Sequence, residues 1–119
     1  MEKVNLREKF SRFHDHWSPK IVGDLNDSHV KLVKFQGTFV WHRHEHEDEM
    51  FLVIAGEMQV RLRDRVISLG AGEFFIVPKG VEHMTAADSE AQVLLLEPKT
   101  TVNTGNVTNE RTVARPERI

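Results

Sequence analysis

The sequence contains no cysteine, no long apolar run and no excess of positive charge, and each absence excludes a class of protein. Without cysteine there are no disulfides, thiolate metal sites or cysteine nucleophiles. Sixteen basic residues against eighteen acidic ones leave a net charge of −2, which argues against nucleic acid as a partner. Apolar runs such as Val93–Leu96 fall far short of the roughly 20 residues that cross a bilayer. The N-terminal residues form no apolar leader, so we expect a cytoplasmic protein without membrane contact.

What is present fits a single domain of 119 residues in three regions. We predict an N-terminal helix over residues 5–17, a barrel of strands over 21–97 and a polar arm over 98–119. Helical spacing places four apolar residues on one face, namely Leu6, Phe10, Phe13 and Trp17. Asn5 and Glu8 resemble a capping box at the start of this helix. The apolar stripe predicts docking on a sheet, and a lid or a partner surface is the alternative.

After the predicted helix the chain alternates short apolar segments with turn residues. Along one segment Met58, Val60 and Leu62 alternate with polar neighbours, as in a half-buried strand. Many short strands with almost no helix between them predict an antiparallel sandwich or barrel. The tail from Lys99 has few apolar anchors, so it is either an extended arm over the barrel or partly disordered. The predicted strands are Val30–Phe35, Thr38–Trp41, Met50–Ala55, Met58–Leu62, Val66–Leu69, Phe74–Val77 and Val93–Leu96.

Three histidines stand close together in the segment from Trp41 to Glu49. On a strand, His42 and His44 point to the same side, so both imidazoles are able to grip one ion. Imidazole nitrogen and carboxylate oxygen together suit zinc, iron, nickel or manganese. A solvated acidic loop is the alternative for such a stretch taken alone.

Two further residues strengthen the metal interpretation. Glu49 opens the next apolar segment, so a turn brings its carboxylate back opposite the histidines. His83 follows Pro78 and Gly80, which suit the second and fourth positions of a tight turn. Such a turn aims His83 toward the same interior. Three imidazoles and one carboxylate leave one or two positions of an octahedral ion open.

These residues resemble the two motifs of the cupin family. The first is Gly37-x4-His42-x-His44-x4-Glu49-x6-Gly56, and the second is Gly72-x5-Pro78-x-Gly80-x2-His83. The resemblance implies an all-β, double-stranded β-helix (jelly-roll) barrel, here with a short N-terminal helix. It also implies one divalent transition metal per chain (Fe, Mn, Ni or Zn), with His42, His44, Glu49 and His83 as ligands.

The sequence departs from the family pattern at two places. Four residues separate Gly37 from His42, where the first motif usually has five. Ala87 stands where the second motif usually has Asn, which puts in doubt the polar contact that Asn would supply. Neither departure affects a predicted ligand.

The other histidines are expected at the surface. His46 shares strand parity with His42 and His44 and is therefore an alternative ligand to Glu49. Its charged neighbours favour an exposed position on the barrel rim. The remaining histidines have no companion at ligand spacing, and we expect surface positions for His14, His16 and His29.

Strand parity also predicts a pocket wall beside the metal. The residues expected to share the inward face with the ligands are Val40, Phe51, Val53, Thr85 and Ala87. No lysine or arginine has inward parity near the ligands in this interpretation. We therefore expect a compact, modestly polar or aromatic small molecule rather than a phosphate.

Fold alone does not determine activity, so three functions remain open. The first is a metal-dependent enzyme acting on a small organic molecule, dioxygenase-like or isomerase-like. The second is a non-catalytic, metal-bearing small-molecule binding or sensor protein. The third is a metal-free barrel whose histidines hydrogen-bond a ligand. We also expect a homodimer, because exposed edge strands are commonly covered and two-fold dimers are the commonest assembly.

Overall fold

The computed structural model describes residues 1–119 as one short helix and seven strands. No helix in it is long and apolar enough to span a membrane. In chain order the elements are α1 Leu6–Phe10, β1 Lys20–Leu25, β2 Ser28–Thr38, β3 Glu49–Ala55, β4 Glu57–Leu62, β5 Val66–Gly70, β6 Phe74–Val77 and β7 His83–Pro98.

All strand pairs are antiparallel, and β7 connects the two halves of the barrel. One path of hydrogen-bonded strands runs β1-β2-β7-β3-β6, while β4 pairs with β5 and with β7. The first part of β7 lies against β4, and its second part lies against β3. This arrangement is the predicted all-β jelly-roll barrel with a short N-terminal helix.

The barrel interior is filled by alternate residues of its strands. Phe51 and Val53 of β3 and Val93 and Leu95 of β7 belong to one cluster of 13 buried apolar residues. Gly56, between β3 and β4, has a φ of +84°. A Cβ there would lie 2.9 Å from the Glu90 carbonyl oxygen, so the close approach of β7 requires glycine.

The helix is shorter than the predicted span of residues 5–17. Its start is as predicted, since the Asn5 side chain accepts a hydrogen bond from the Glu8 amide at 3.0 Å. It ends at Phe10 because the residues of the apolar stripe pack on two different surfaces. Phe10 and Phe13 pack outside the barrel, whereas Trp17 enters the core with a φ of +62°. One face of a straight helix does not reach both places.

The strands also differ from the predicted ones, most of all in β1, in the segment after β2 and in β7. Strand β1 was not predicted, β2 ends at Thr38, and residues 39–48 form an irregular connection instead of a strand over 38–41. Strand β7 begins at His83, ten residues before the predicted segment Val93–Leu96. The omitted part contains Asp88, Ser89 and Glu90, whose exposed side chains interrupt the apolar alternation.

The C-terminal segment lies against the barrel. The Arg111 guanidinium donates to the Thr38 carbonyl at 2.6 Å, and Arg118 contacts both carboxylate oxygens of Asp24. Ile119 packs on the outer cluster, and Thr104 is fully buried. The segment therefore covers part of the barrel wall as an arm.

Candidate metal centre

The structure brings His42, His44, Glu49 and His83 into one buried cluster. One ligand atom from each residue lies within 4.8 Å of the ligand atoms of the others. Their side chains are almost completely enclosed, with relative exposures of 0–4%. Residues that are 39 positions apart in the chain, such as His44 and His83, therefore meet inside the barrel.

Backbone hydrogen bonds hold the histidines together. The amide of His42 donates to the His83 carbonyl at 3.0 Å, and the reverse bond measures 2.9 Å. The Gly80 amide, in the turn before β7, donates to the His44 carbonyl at 2.7 Å. Glu49 is the first residue of β3, so a regular strand fixes the base of its side chain. The turn lies one residue later than predicted, because the Val81 amide donates to the Pro78 carbonyl at 3.2 Å, which makes Pro78 its first residue and Gly80 its third. It fixes the relative positions of both motifs.

Two of the imidazole rings are oriented by backbone carbonyls. Nδ1 of His42 lies 2.9 Å from the Val40 oxygen, and Nδ1 of His83 lies 3.0 Å from the Val81 oxygen. A carbonyl only accepts, so both Nδ1 atoms carry the proton and donate. This leaves each Nε2 with a free lone pair, which is the arrangement that ligand histidines adopt in metal sites.

Several atoms that face one another at the centre of the cluster have no hydrogen-bond partner. They are Nε2 of His44, Nε2 of His83 and Oε1 of Glu49, all buried. Oε1 lies 3.3 Å from the first nitrogen and 3.4 Å from the second. Ligands that are each about 2.1 Å from one ion lie roughly 3.0–3.4 Å apart, depending on the coordination angle. The donor set and its spacing therefore fit a divalent transition metal.

The electrostatic environment keeps His42 and Glu49 in the forms that bind metals. Burial, followed by the neighbouring charge of His83, lowers the pKa of His42 to about 4, so its imidazole is neutral. Burial alone would raise the pKa of Glu49. The adjacent Glu97, His44 and His83 side chains outweigh that effect and hold the pKa of Glu49 well below its usual range. Glu49 is therefore a carboxylate.

A narrow, mainly apolar cavity of about 20 Å³ adjoins the cluster. Trp17, Phe35, Phe39 and Phe51 contribute to its wall together with His42 and Glu49, and Thr85 and Asn103 are its other polar residues. The Trp17 ring stacks on Phe35 at 4.5 Å and on Phe39 at 4.9 Å between ring centroids. Of the predicted wall residues, Phe51 and Thr85 lie here.

The other three predicted wall residues lie elsewhere. Val40 is half-buried and offers its carbonyl oxygen to His42, while Phe39 lines the cavity instead. Strand alternation fails at Val40 because residues 39–48 are not a regular strand. Val53 packs in the core, since two further residues along a strand move the side chain about 7 Å away.

Ala87 lines a second, wider cleft of about 530 Å³ between β4, β5 and the bend of β7. None of the four clustered residues lines this cleft. Its charged residues are Glu57, Glu73, Asp88 and Glu90, all acidic. The wider cleft is therefore separate from the candidate metal centre.

Of the remaining histidines, three lie at the surface as predicted and one does not. His46 is exposed and outside the cluster, as are His14 and His16. His29 is half-buried and lies 3.5 Å from Asp24. Burial, followed by the charge of Lys31, lowers the pKa of His29.

Sequence reasoning missed two charged residues on the barrel's inner face. Lys31 of β2 and Glu97 of β7 are each 2% exposed, and Lys31 Nζ lies 2.8 Å from Glu97 Oε1. The expectation that no lysine points inward near the ligands was therefore wrong. Both strands are apolar on both faces, so parity alone did not identify the inner one. The shared parity of Lys31 with Val33 and Phe35 was the only signal.

The protein is thus a jelly-roll barrel with an internal candidate metal centre. Three histidines and one glutamate converge at that centre. The family model described as "Cupin domain" matches residues 29–98, which include all four clustered residues. The chain belongs to the cupin family.

Known proteins support this membership. The chain is 33% identical to the uncharacterised protein YdbB of Bacillus subtilis (strain 168) over 95 residues, which is 79% of this chain and 78% of that protein. A cupin-2 domain protein from Shewanella frigidimarina has a crystal structure similar to this one, with 46% identity and a TM-score of 0.80. The match covers 81% of this chain and 94% of that one. Protein NMB1881 from Neisseria meningitidis is 27% identical with a TM-score of 0.76, over 82% of this chain and 100% of that one.

Proposed function

We propose that this cupin binds one divalent transition-metal ion per chain through His42, His44, Glu49 and His83. The observation that carries this proposal is the set of buried ligand atoms that face one another without hydrogen-bond partners. Buried polar atoms are normally satisfied, and an ion satisfies all of them together. Iron, manganese, nickel and zinc all accept this donor set.

We further propose that the metal centre serves an enzyme acting on a small organic molecule, by dioxygenase-like or isomerase-like chemistry. A bound divalent ion supplies Lewis acidity at an open coordination position. The aromatic wall, with Phe51 only 3% exposed, excludes water from the ligands. Thr85 and Asn103 offer the cavity's uncharged polar groups for a compact and modestly polar molecule. Its volume of about 20 Å³ holds roughly one water, so binding such a molecule requires the aromatic wall to move.

A non-catalytic, metal-bearing small-molecule binding or sensor protein is the second candidate. It is favoured by the cavity wall, where Thr85 and Asn103 are the only polar residues besides the metal-binding groups. Neither side chain is a general base at neutral pH. The third candidate, a metal-free barrel, leaves the buried nitrogen and oxygen atoms facing one another and is the least supported.

Metal analysis of protein purified without an affinity tag tests the proposal. We expect one divalent ion per chain, and calorimetric titration of chelator-treated protein should show one site for Mn²⁺, Fe²⁺, Ni²⁺ or Zn²⁺. Absence of stoichiometric binding for all four ions would overturn the metal proposal. Oxygen consumption with catechols and diketones, and product analysis for isomerisation, then separate an enzyme from a binding protein.

We also propose that two copies of the chain pair through the outer face of the sheet. The helix stripe is not free for this role, because Phe10 and Phe13 pack on the chain's own Leu32. The pairing registers instead place two apolar rows across the outside of β2, β7, β3 and β6. The rows are Val30, Leu96, Met50 and Ile76, followed by Leu32, Leu94, Leu52 and Phe74. Phe10 and Phe13 cover the Leu32 end of the second row, so the part open to a second copy lies toward β6.

These outer rows suit a second copy better than a charged partner. Exposure is greatest at the β6 edge, where Phe74 is 59% and Ile76 is 48% exposed. Neither row contains a charged residue, so two copies related by a two-fold axis meet no like charges. Strand β6 pairs only with β3, so its other backbone edge is open for further association.

A further inference from the structure

Three ionisable side chains lie next to one another on the inner face of the barrel. They are Lys31 on β2, Glu97 on β7 and Glu49 on β3, with exposures of 2%, 2% and 4%. Such groups lose their hydration when they are buried, and well-packed apolar residues usually serve a core at least as well. The buried pair of Lys31 and Glu97 therefore requires an explanation beyond packing.

The strand registers place Glu97 between the other two. Met50 pairs with Leu96, so the next antiparallel pair places Glu49 opposite Glu97. Side chains in directly opposite positions have Cβ atoms about 4.5–5.5 Å apart. Lys31 pairs with Leu95 and reaches Glu97 diagonally, with Nζ 2.8 Å from Oε1. Glu97 thus contacts the lysine with one oxygen and leaves the other for Glu49.

A proton on Glu97 completes this arrangement. Glu97 Oε2 is buried and has no hydrogen-bond donor facing it. Two facing carboxyl groups form a hydrogen bond only when one of them holds a proton. Metal ligands are deprotonated, so when Glu49 holds the proposed ion the shared proton lies on Glu97. Glu97 is then the donor, and the Glu49 carboxylate is the acceptor.

We propose that Lys31 and Glu97 are positioning residues that orient the Glu49 carboxylate toward the three histidines and thereby tune metal affinity. Lys31 holds the Glu97 carboxyl by one oxygen, and the hydrogen bond from Glu97 occupies one side of Glu49. The other side of Glu49, at Oε1, is left facing His44 and His83. This inference rests on the proposed metal-binding function. A purely structural role, in which the pair only ties β2 to β7, is the rival explanation.

A matched pair of double variants separates the two roles. Lys31→Met with Glu97→Leu removes both buried charges together, which avoids stranding either one. Lys31→Met with Glu97→Gln keeps an amide donor opposite Glu49. The free energy of unfolding of each metal-free protein, measured in urea, shows whether the fold is intact. Calorimetry with Zn²⁺ and the visible absorption spectrum with Co²⁺ then report on the metal site.

We expect the Leu-containing variant to bind Zn²⁺ roughly 10–100-fold more weakly than the wild type, the usual effect of losing a hydrogen bond to a ligand. Its Co²⁺ spectrum should also change. The Gln-containing variant should recover an affinity within about threefold of the wild type. Wild-type affinity and spectrum in the Leu-containing variant would overturn the positioning role, whatever its stability. A wild type that binds neither ion would overturn the proposed function, and this inference with it.

Discussion

The two faces of strands β2, β7 and β3 differ most at one end of the barrel, beyond the apolar core cluster. At the end of the barrel where the histidines lie, the inner face carries Lys31, Glu97 and Glu49, each buried. The outer face presents rows of apolar side chains, of which Leu52 is half-buried and Phe74 is exposed. An antiparallel sheet with one solvated face ordinarily shows the reverse pattern, with apolar residues inside and polar residues outside.

This reversal indicates that each face meets a demand besides folding. A polar cluster inside a barrel loses hydration, and the proposed ion would satisfy these groups by ligation instead. Covering the apolar outer face with another surface carries no such cost in lost hydration. On this chain α1, Phe13 and Ile119 cover the part around Leu32 and leave the β6 edge open.

The largest effect is expected from removing an inner ligand. His44→Ala deletes a nitrogen that points into the cluster, and metal content should fall from one ion per chain to near zero. His46→Ala is the matched control, because His46 is exposed and only two residues away. Elemental analysis of both variants checks this expectation. Equal metal in the two proteins would show that the ligand assignment is wrong.

Phe51 and Leu52 are adjacent on β3, so their side chains point to opposite faces of the sheet. Substituting each one in turn compares the two faces directly. Phe51→Ala should reduce the free energy of unfolding by roughly 3–5 kcal/mol, because the ring is buried among Phe35 and its neighbours. Leu52→Ala on the outer face should cost less, about 1–2 kcal/mol, because Leu52 is half-buried. Urea unfolding of both variants measures the difference.

Phe51→Ala should also leave the metal in place while it enlarges the cavity for bulkier ligands. The ring centroid lies 6.2 Å from that of His83, which places it beside the ligands without contributing one. Metal analysis of the variant provides the readout. Loss of the metal in a folded Phe51→Ala protein would contradict the assignment of Phe51 to the cavity wall.

The pH dependence of stability tests the buried imidazole of His42. The unfolded chain protonates this residue near pH 6.5, whereas the folded metal-free protein does so at about pH 4. The unfolded state therefore binds more protons between these values, and stability falls as the pH decreases through that window. The loss should reach about 3 kcal/mol. Urea unfolding of chelator-treated protein from pH 7.5 to 4 should show it, and His42→Leu should remove this part of the slope. Identical slopes in the two proteins would argue against a buried neutral His42.

The smallest effect concerns the outer face. Ile76→Lys places a charge in the proposed dimer surface and should weaken dimerisation by at least about tenfold, since like charges then meet across the two-fold axis. Val66→Lys is the control, because Val66 is similarly exposed at 53% but lies on β5. Sedimentation equilibrium measures both dissociation constants. A wild type with the mass of a single chain at micromolar concentration would refute the dimer proposal.

Local residue patterns carried the metal-site prediction. Motif spacing and the resemblance to the cupin motifs together identified the four residues that converge, because a strand and a tight turn position their neighbours in a regular way. The Asn5 cap and the exposure of His46 were predictable for the same reason. The predictions were wrong where the chain leaves regular secondary structure. Val40 was misplaced because the chain leaves the strand at Thr38, and the helix was overextended because Trp17 packs apart from Phe10.

The sequence by itself determined the all-β class and the start of the helix, since these depend on alternation along a strand and on contacts within a turn. Its motif spacing, with the cupin resemblance, also pointed to the four clustered residues. Only the tertiary structure decided which face of β2 and β7 is inside. Both faces of these strands are apolar, so burial of Lys31 and Glu97 follows from the pairing of three strands distant in the chain. The same pairing aligns the apolar residues on the outside. No local pattern records that alignment, because it exists only after the barrel has closed.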